Sequence, residues 1–430
     1  LILEAQSMLK QLRQRKDNPL RVGLVGAGAM GRGIAWQIST TIGMALGFIA
    51  DIDLNAARKT ADLIGLEPVE FNGKSIPELT DQQVLVATDT LALLKRNDEL
   101  KLDAFVEATN AISAAAEYCL AAIDGGMHVI LMNAEVDLVY GPLLNAEAAK
   151  KGVIVTSDAG DQHGVIMTMI DEIEMWGFDI VQAGNIKGFL DRYATPESIR
   201  HEAEKRNLSP VQCCAYTDGT KLNVEMALIS NATGLIPFVD GMEGPACKDV
   251  GEVMELFDFD AYGGQGRVDY ILGAEPGGGV YVVGRCDAEF QQPYLQYYKL
   301  GDGPYYLFSR PYHLCHLETT RAIAKACLYH EAILVPEHGQ VADVYAYAKT
   351  NLKAGQEIEH SIGGAECYGL IRTCDAAKAD GHLPIAFLEG EPGKLPKLKR
   401  DIAKDEAVKF DDVEFPDILL HRLLQRQAEI

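Results

Sequence analysis

From Arg21 the chain alternates short apolar runs with stretches whose apolar residues recur at helical spacing. The order is RVGLVGAG, a helix over Met30 to Thr41, GMALGFIAD, a helix from Leu54, QVLVATD, DAFVEAT, a helix from Ile112, HVILMN and VIVTSD. Strands that are apolar throughout, rather than alternating, belong to a sheet covered on both faces. The pattern therefore predicts an α/β fold with a doubly wound parallel sheet ending near Ser157, within a first domain of residues 1–157. Ahead of the first strand, residues 1–17 read as an amphipathic helix with a basic stretch after it, the reverse of a signal peptide. Residues 158–334 are mixed, with helical stretches at Gly164 to Trp176 and Thr220 to Thr233 and the strand-like GVYVVGRC around Tyr281, so an α+β middle domain is expected. Residues 335–430 break into short strands and turns, at Lys353 to Gly355 and Ile362 to Gly364 among others, and predict a small β-rich third domain.

Composition narrows the functions open to such a chain. Its 430 residues suffice for two or three domains. The formal net charge of −23 excludes a protein that tracks nucleic-acid phosphates or an anionic membrane, and it requires a local basic pocket for any anionic substrate. Nine scattered cysteines without a paired Cys-x-x-Cys argue against a disulfide framework or a zinc ribbon, so a reducing cytoplasm is the expected location. No apolar run approaches the roughly 20 residues of a membrane-spanning helix.

The strongest local signal is Gly26-Ala27-Gly28-Ala29-Met30-Gly31, directly after a strand and directly before a helix. In that context Gly26 permits a tight turn, Gly28 lets backbone approach a pyrophosphate, Gly31 allows close helix packing, and the helix N-terminus offers N–H donors. Asp51 stands at the end of the second strand, where a carboxylate holds a ribose hydroxyl and favours NAD over NADP. Arg32, Arg58 and Lys59 lie near enough in sequence to offer a counter-charge, or are solvated helix residues. Thr109, Asn110 and Asn133, at the strand ends EATN and MNAE, are candidates to line the nicotinamide side, with turn and cap duty as the alternative.

Further along, SDAGDQHG brings Asp158, Asp161 and His163 onto one glycine-bearing loop, suited to orienting a hydroxyl, to acid–base work or to holding Mg²⁺ or Mn²⁺, unless the aspartates only cap the next helix. Lys187 in AGNIKGF, with Lys221, Asn223 and Glu225 in TDGTKLNVEMALISN, offers groups that bind phosphate or protonate a developing alkoxide. The i, i+4 spacing of Lys221 and Glu225 also fits a solvated helix pair. In SRPYHLCHLE, Arg310 is placed to clamp an anion and Tyr312 to donate its hydroxyl. Neither a Gly-x-Ser-x-Gly elbow nor a P-loop is present.

Together, RVGLVGAGAMGRGIA, EATN, MNAE, SDAGDQHG, AGNIKGF, TDGTKLNVEMALISN, RPYHL and, in the tail, NLKAGQEIEHSIGGAECYG, LPIAF and KRDIAKDEAVKFDDVEF resemble the homoserine-dehydrogenase-like oxidoreductases with a C-terminal SAF-type domain. The resemblance spans nearly the whole chain and looks closest to the 1-deoxy-D-xylulose 5-phosphate reductoisomerase-like enzymes, which make 2-C-methyl-D-erythritol 4-phosphate for isoprenoid synthesis. It implies a Rossmann domain, NADPH, a divalent cation, a small phosphorylated substrate and a homodimer. It also implies Lys187 and Lys221 at the oxyanions or phosphate, Arg310 and Tyr312 in an anion clamp, and Asp158, Asp161 or Glu225 at hydroxyls or metal. Homoserine dehydrogenases carry lysine after the asparagine of the MNAE segment, whereas this chain has Ala134 after Asn133, which weakens homoserine as substrate. A homoserine-type or sugar-acid dehydrogenase is the nearest alternative, and a nucleotide-sensing regulator is the alternative of another class.

Overall fold

The computed structural model describes residues 7–206 and 208–429. They form two compact units, one running to Asp161 and adding Leu314–Val335 and the residues from Leu423 on, the other comprising Gln162–His313 and Pro336–Arg422. Of the N-terminal helix expected over residues 1–17, Met8–Gln14 is helical, and residues 1–6 lie outside the described residues.

The first unit is built on seven strands: β1 (Leu20–Val25), β2 (Met44–Ala50), β3 (Glu67–Glu70), β4 (Gln83–Ala87), β5 (Ala104–Glu107), β6 (His128–Leu131) and β7 (Val155–Ser157). They lie in the order β3-β4-β2-β1-β5-β6-β7, and each pairs with its neighbours in parallel. The inner strands are apolar on both faces and almost fully buried, as expected for a sheet covered twice. β3 is the strand that the hydrophobic pattern did not indicate, because at the sheet edge its EPVE sequence is half exposed. Strand order reverses where β1 meets β5, and in open α/β sheets ligands bind outside the carboxyl ends of the strands at such a switch point. The Cys315–Tyr329 helix joins this unit, with Ala322, Ile323 and Ala324 in one core with Leu24, Ile34 and Ile38.

The second unit has a four-stranded sheet of β8 (Asp179–Lys187), β9 (Arg267–Leu272), β10 (Val280–Arg285) and β11 (Tyr305–Arg310), in the order β11-β10-β8-β9. β8 and β9 are parallel and the other pairs antiparallel. On one face Ile186, Tyr281 and Val283 pack with Phe257, Phe259 and Tyr262. By the two-residue period of a strand, Asn185 and Lys187 point to the other face. The Thr220–Thr233 helix is buried from Thr220 to Ala232, so its polar residues lie in the interior. Residues 336–422 contribute the antiparallel pair β12 (Ala342–Ala348) and β13 (Cys367–Thr373). No helix among the described residues is long and apolar enough to cross a membrane.

Candidate functional site

The glycine loop follows β1. Gly26 has φ +92°, and a side chain there would collide with the Ala108 carbonyl, so only glycine fits. Gly28 precedes the Ala29–Thr40 helix, is exposed and has open space where a Cβ would be, leaving the backbone free to meet a pyrophosphate. Ala27 is buried, its N–H donating to Asp51 Oδ2 at 2.6 Å, while Asp51 Oδ1 accepts from Asp53 N at 2.9 Å. Asp51 therefore fastens the loop, as well as standing where a ribose hydroxyl is held. Ala29 and Met30 open the helix and Gly31 packs under Gly26. These features fit a dinucleotide. Of the basic residues considered as counter-charges, Arg58 pairs with Glu70, and Arg32 reaches the Ala27 carbonyl at 3.4 Å.

At the carboxyl end of β5, Glu107 is fully buried and its Oε1 accepts from Thr109 N at 2.9 Å. Burial pushes its carboxyl up to about 7, against the opposing hydrogen bonds of Thr109 and Asn133. Thr109 Oγ1 accepts from Ala111 N at 3.2 Å, and Asn110 is exposed. Asn133 caps the Ala134–Lys151 helix through Val136 N (3.2 Å) and donates to the Ala111 carbonyl (2.6 Å). Thr109 and Asn133 thus perform the turn and cap duties that were the alternative to lining the nicotinamide.

Asp158, also buried, turns Oδ2 to the N–H groups of Gly160 (2.7 Å) and Asp161 (3.1 Å). Burial pushes its carboxyl up to about 7, with the Thr319 hydroxyl and the Gly160 N–H working the other way. This carboxyl forms the turn ahead of the Gln162–Met175 helix. Asp161 is buried in the same loop.

The second unit brings together residues far apart in sequence. Lys187, at the end of β8, donates to Gln162 Oε1 and lies 3.3 Å from Glu225 Oε2, which also accepts from Asn185 Nδ2 at 2.8 Å. Gln162 is held by its own amide donating to the Gly279 carbonyl at 3.0 Å. The Glu225 side chain is 3% exposed and that of Lys187 18%, so the carboxylate is fixed in the interior while the ammonium retains a path outward. An ammonium on a buried carboxylate and an amide oxygen is an oriented proton donor, and the carboxylate is the group that receives a proton in return.

The remaining expected residues are spread out. Lys221 is buried one turn before Glu225 on the same helix, which rules out the solvated-pair alternative. His163 is buried in the first turn of the Gln162–Met175 helix. Asn223 donates to the Gly219 carbonyl (2.7 Å) and accepts from Ile371 N (2.8 Å), so its amide joins helix to strand rather than facing a substrate. The Arg310 guanidinium lies over the Tyr312 ring at 4.6 Å, and Tyr312 is half exposed. Glu107 in the first unit, and Gln162 and Asn185 in the second, went unassigned from sequence. Asn185 had a signal, since it stands two residues before Lys187 on a strand and shares its face.

Residues 160–319 match the family model described as the catalytic domain of oxidoreductase DRL. No curated protein matches the chain. Among solved structures, a homoserine dehydrogenase from Thiobacillus denitrificans aligns at 16% identity over 79% of this chain and 84% of its own, with a TM-score of 0.43. A hyperthermophilic archaeal homoserine dehydrogenase in complex with NADPH aligns at 15% identity over 72% and 98%, with a TM-score of 0.42. Biliverdin reductase from Synechocystis sp. PCC 6803 aligns at 21% identity with a TM-score of 0.29; 41% of this chain is covered, and the chain spans about half (49%) of that protein. One chain carries both a segment matched to an oxidoreductase catalytic domain and a doubly wound sheet with a glycine loop that fits a dinucleotide, and it is an NAD(P)-dependent oxidoreductase.

Proposed function

We propose that the chain is an NADPH-dependent reductoisomerase that converts 1-deoxy-D-xylulose 5-phosphate to 2-C-methyl-D-erythritol 4-phosphate, acting as a homodimer. The observation that carries this reading is the Lys187–Glu225 pair held by Gln162 and Asn185 within the segment matched to an oxidoreductase catalytic domain. NADPH supplies a hydride when bound. Lys187 then donates a hydrogen bond or proton to the substrate oxygen that becomes an alkoxide, and Glu225 takes up the proton released from a substrate hydroxyl. Asn185 and Gln162 keep both groups in place, and Lys221 adds a second positive charge for an anionic substrate on the helix that carries Glu225. Asp51 favours NADH, so the assay compares NADPH with NADH directly.

The test follows NADPH absorbance with purified protein and 1-deoxy-D-xylulose 5-phosphate, beside NADH and metal-free controls. Substrate-dependent oxidation is expected, with Lys187→Ala lowering kcat by about 100-fold. Turnover in Lys187→Ala equal to that of the native chain would remove the lysine from the mechanism. No turnover by folded, cofactor-binding protein rejects this substrate and leaves a homoserine-type or sugar-acid dehydrogenase, while cofactor bound but consumed with none of these substrates points to the sensor.

A further inference from the structure

Lys349 directly follows β12 and is 1% exposed. Its ammonium lies 2.8 Å from Asp218 Oδ2, 2.7 Å from the Ala194 carbonyl and 2.6 Å from the Gly364 carbonyl. A cation at that depth persists only because a carboxylate pairs with it and carbonyls take its other N–H donors.

Two of these acceptors, Ala194 and Asp218, sit at the ends of the segments that bear the reactive pair, and Gly364 lies ahead of β13. Ala194 closes the stretch 188–194 that leaves β8 immediately after Lys187, and within it Asp191 N donates to the Thr217 carbonyl at 2.8 Å. Asp218 Oδ1 accepts from Thr220 N at 2.8 Å and so sets the start of the Thr220–Thr233 helix, which carries Glu225. Gly219, at φ +85°, makes the turn between them. β13 fastens the same helix end, because Gly369 N donates to Thr220 Oγ1 (2.9 Å) and Ile371 N to Asn223 Oδ1 (2.8 Å).

We propose that Lys349 is a positioning residue, one buried ammonium that ties the stretch after Lys187 to the start of the helix bearing Glu225 and thereby sets how those two groups meet. The inference rests on reading Lys187 and Glu225 as the reacting pair. It assigns the 336–422 segment a part in catalysis without contact with substrate.

The Asp218→Asn/Lys349→Met double variant tests it. Asparagine keeps an oxygen for Thr220 N, and no buried charge is left alone. The double variant is expected to fold, to bind NADPH with native affinity and to keep substrate KM within about threefold, while kcat falls about tenfold or more. Amide hydrogen exchange is expected to accelerate in both 188–194 and 219–225. A folded double variant with native kcat, or faster exchange in one stretch only, overturns the proposal. Should the double variant not fold, Asp218→Asn/Lys349→Gln, which also leaves no buried charge alone and keeps a donor for the carbonyls, carries the same comparison. If the native chain does not turn over the proposed substrate, the functional reading fails by itself, and the exchange measurement decides the positioning role.

Discussion

Glu107 shows what a single buried carboxyl does to this protein. Its ordinary value is 4.5 and burial pushes it up to about 7, so the folded state holds the proton where the unfolded chain has released it. The stability it contributes is fully present below about pH 4.5 and is lost as pH rises through 7, a change of about 3 kcal/mol for a shift of this size. Glu107→Gln keeps a neutral side chain with an oxygen for Thr109 N. Its urea unfolding midpoint is therefore expected to gain on that of the native chain between pH 5 and pH 8, and parallel curves for the two proteins would refute the assignment. Sequence showed Glu107 as the last residue of a strand and no more. Lys187 was legible because a lysine at a strand end in so acidic a chain is unusual. Its partners were not, since Gln162 and Glu225 stand 25 and 38 residues away and meet it only through packing.

Elements were easier to read than their neighbours. The parallel strands β1, β2, β4, β5, β6 and β7 follow from continuous apolar runs, and the Thr220–Thr233 helix from its spacing. Residues 315–329 fall in the expected middle domain, 158–334, where no helix was read for them, yet they form the Cys315–Tyr329 helix and pack in the first unit against the Ala29–Thr40 helix. Its approach is close enough that a Cβ on Gly33 would lie 2.5 Å from His316 Cγ. Gly33→Ala is therefore expected to destabilise the chain by about 1–2 kcal/mol, overpacking at about 1–3 kcal/mol outweighing the helix-propensity gain of up to about 1 kcal/mol. Combining it with His316→Ala should recover most of that loss relative to His316→Ala alone. Additive effects in chemical denaturation would show that the two helices do not meet there.

At the scale of the whole molecule, burial sets an unusual pH response. Glu107, Asp158 and Asp343 are each pushed up to about 7 and Asp137 to about 6, in every case chiefly by burial. Each contributes stability at low pH that is lost as pH rises through its folded value. The net charge of −23 acts in the same direction, because protonation relieves self-repulsion. His128 works against them: burial lowers it to about 4, so its stability is lost as pH falls from about 6.5 towards 4. The thermal midpoint is expected to be about 5 °C higher at pH 6 than at pH 8. An equal or lower midpoint at pH 6, read by circular dichroism, would contradict this. The sequence by itself determined the doubly wound sheet, the glycine loop at its switch point and the chemical types gathered downstream, because apolar period and glycine conformation act between near neighbours. Only the tertiary structure decided that Glu225 rather than an aspartate meets Lys187, that Asn223 joins helix to strand, and that Lys349 is buried against Asp218. Pairing and ionisation depend on the dielectric and on partners that folding brings from distant parts of the chain.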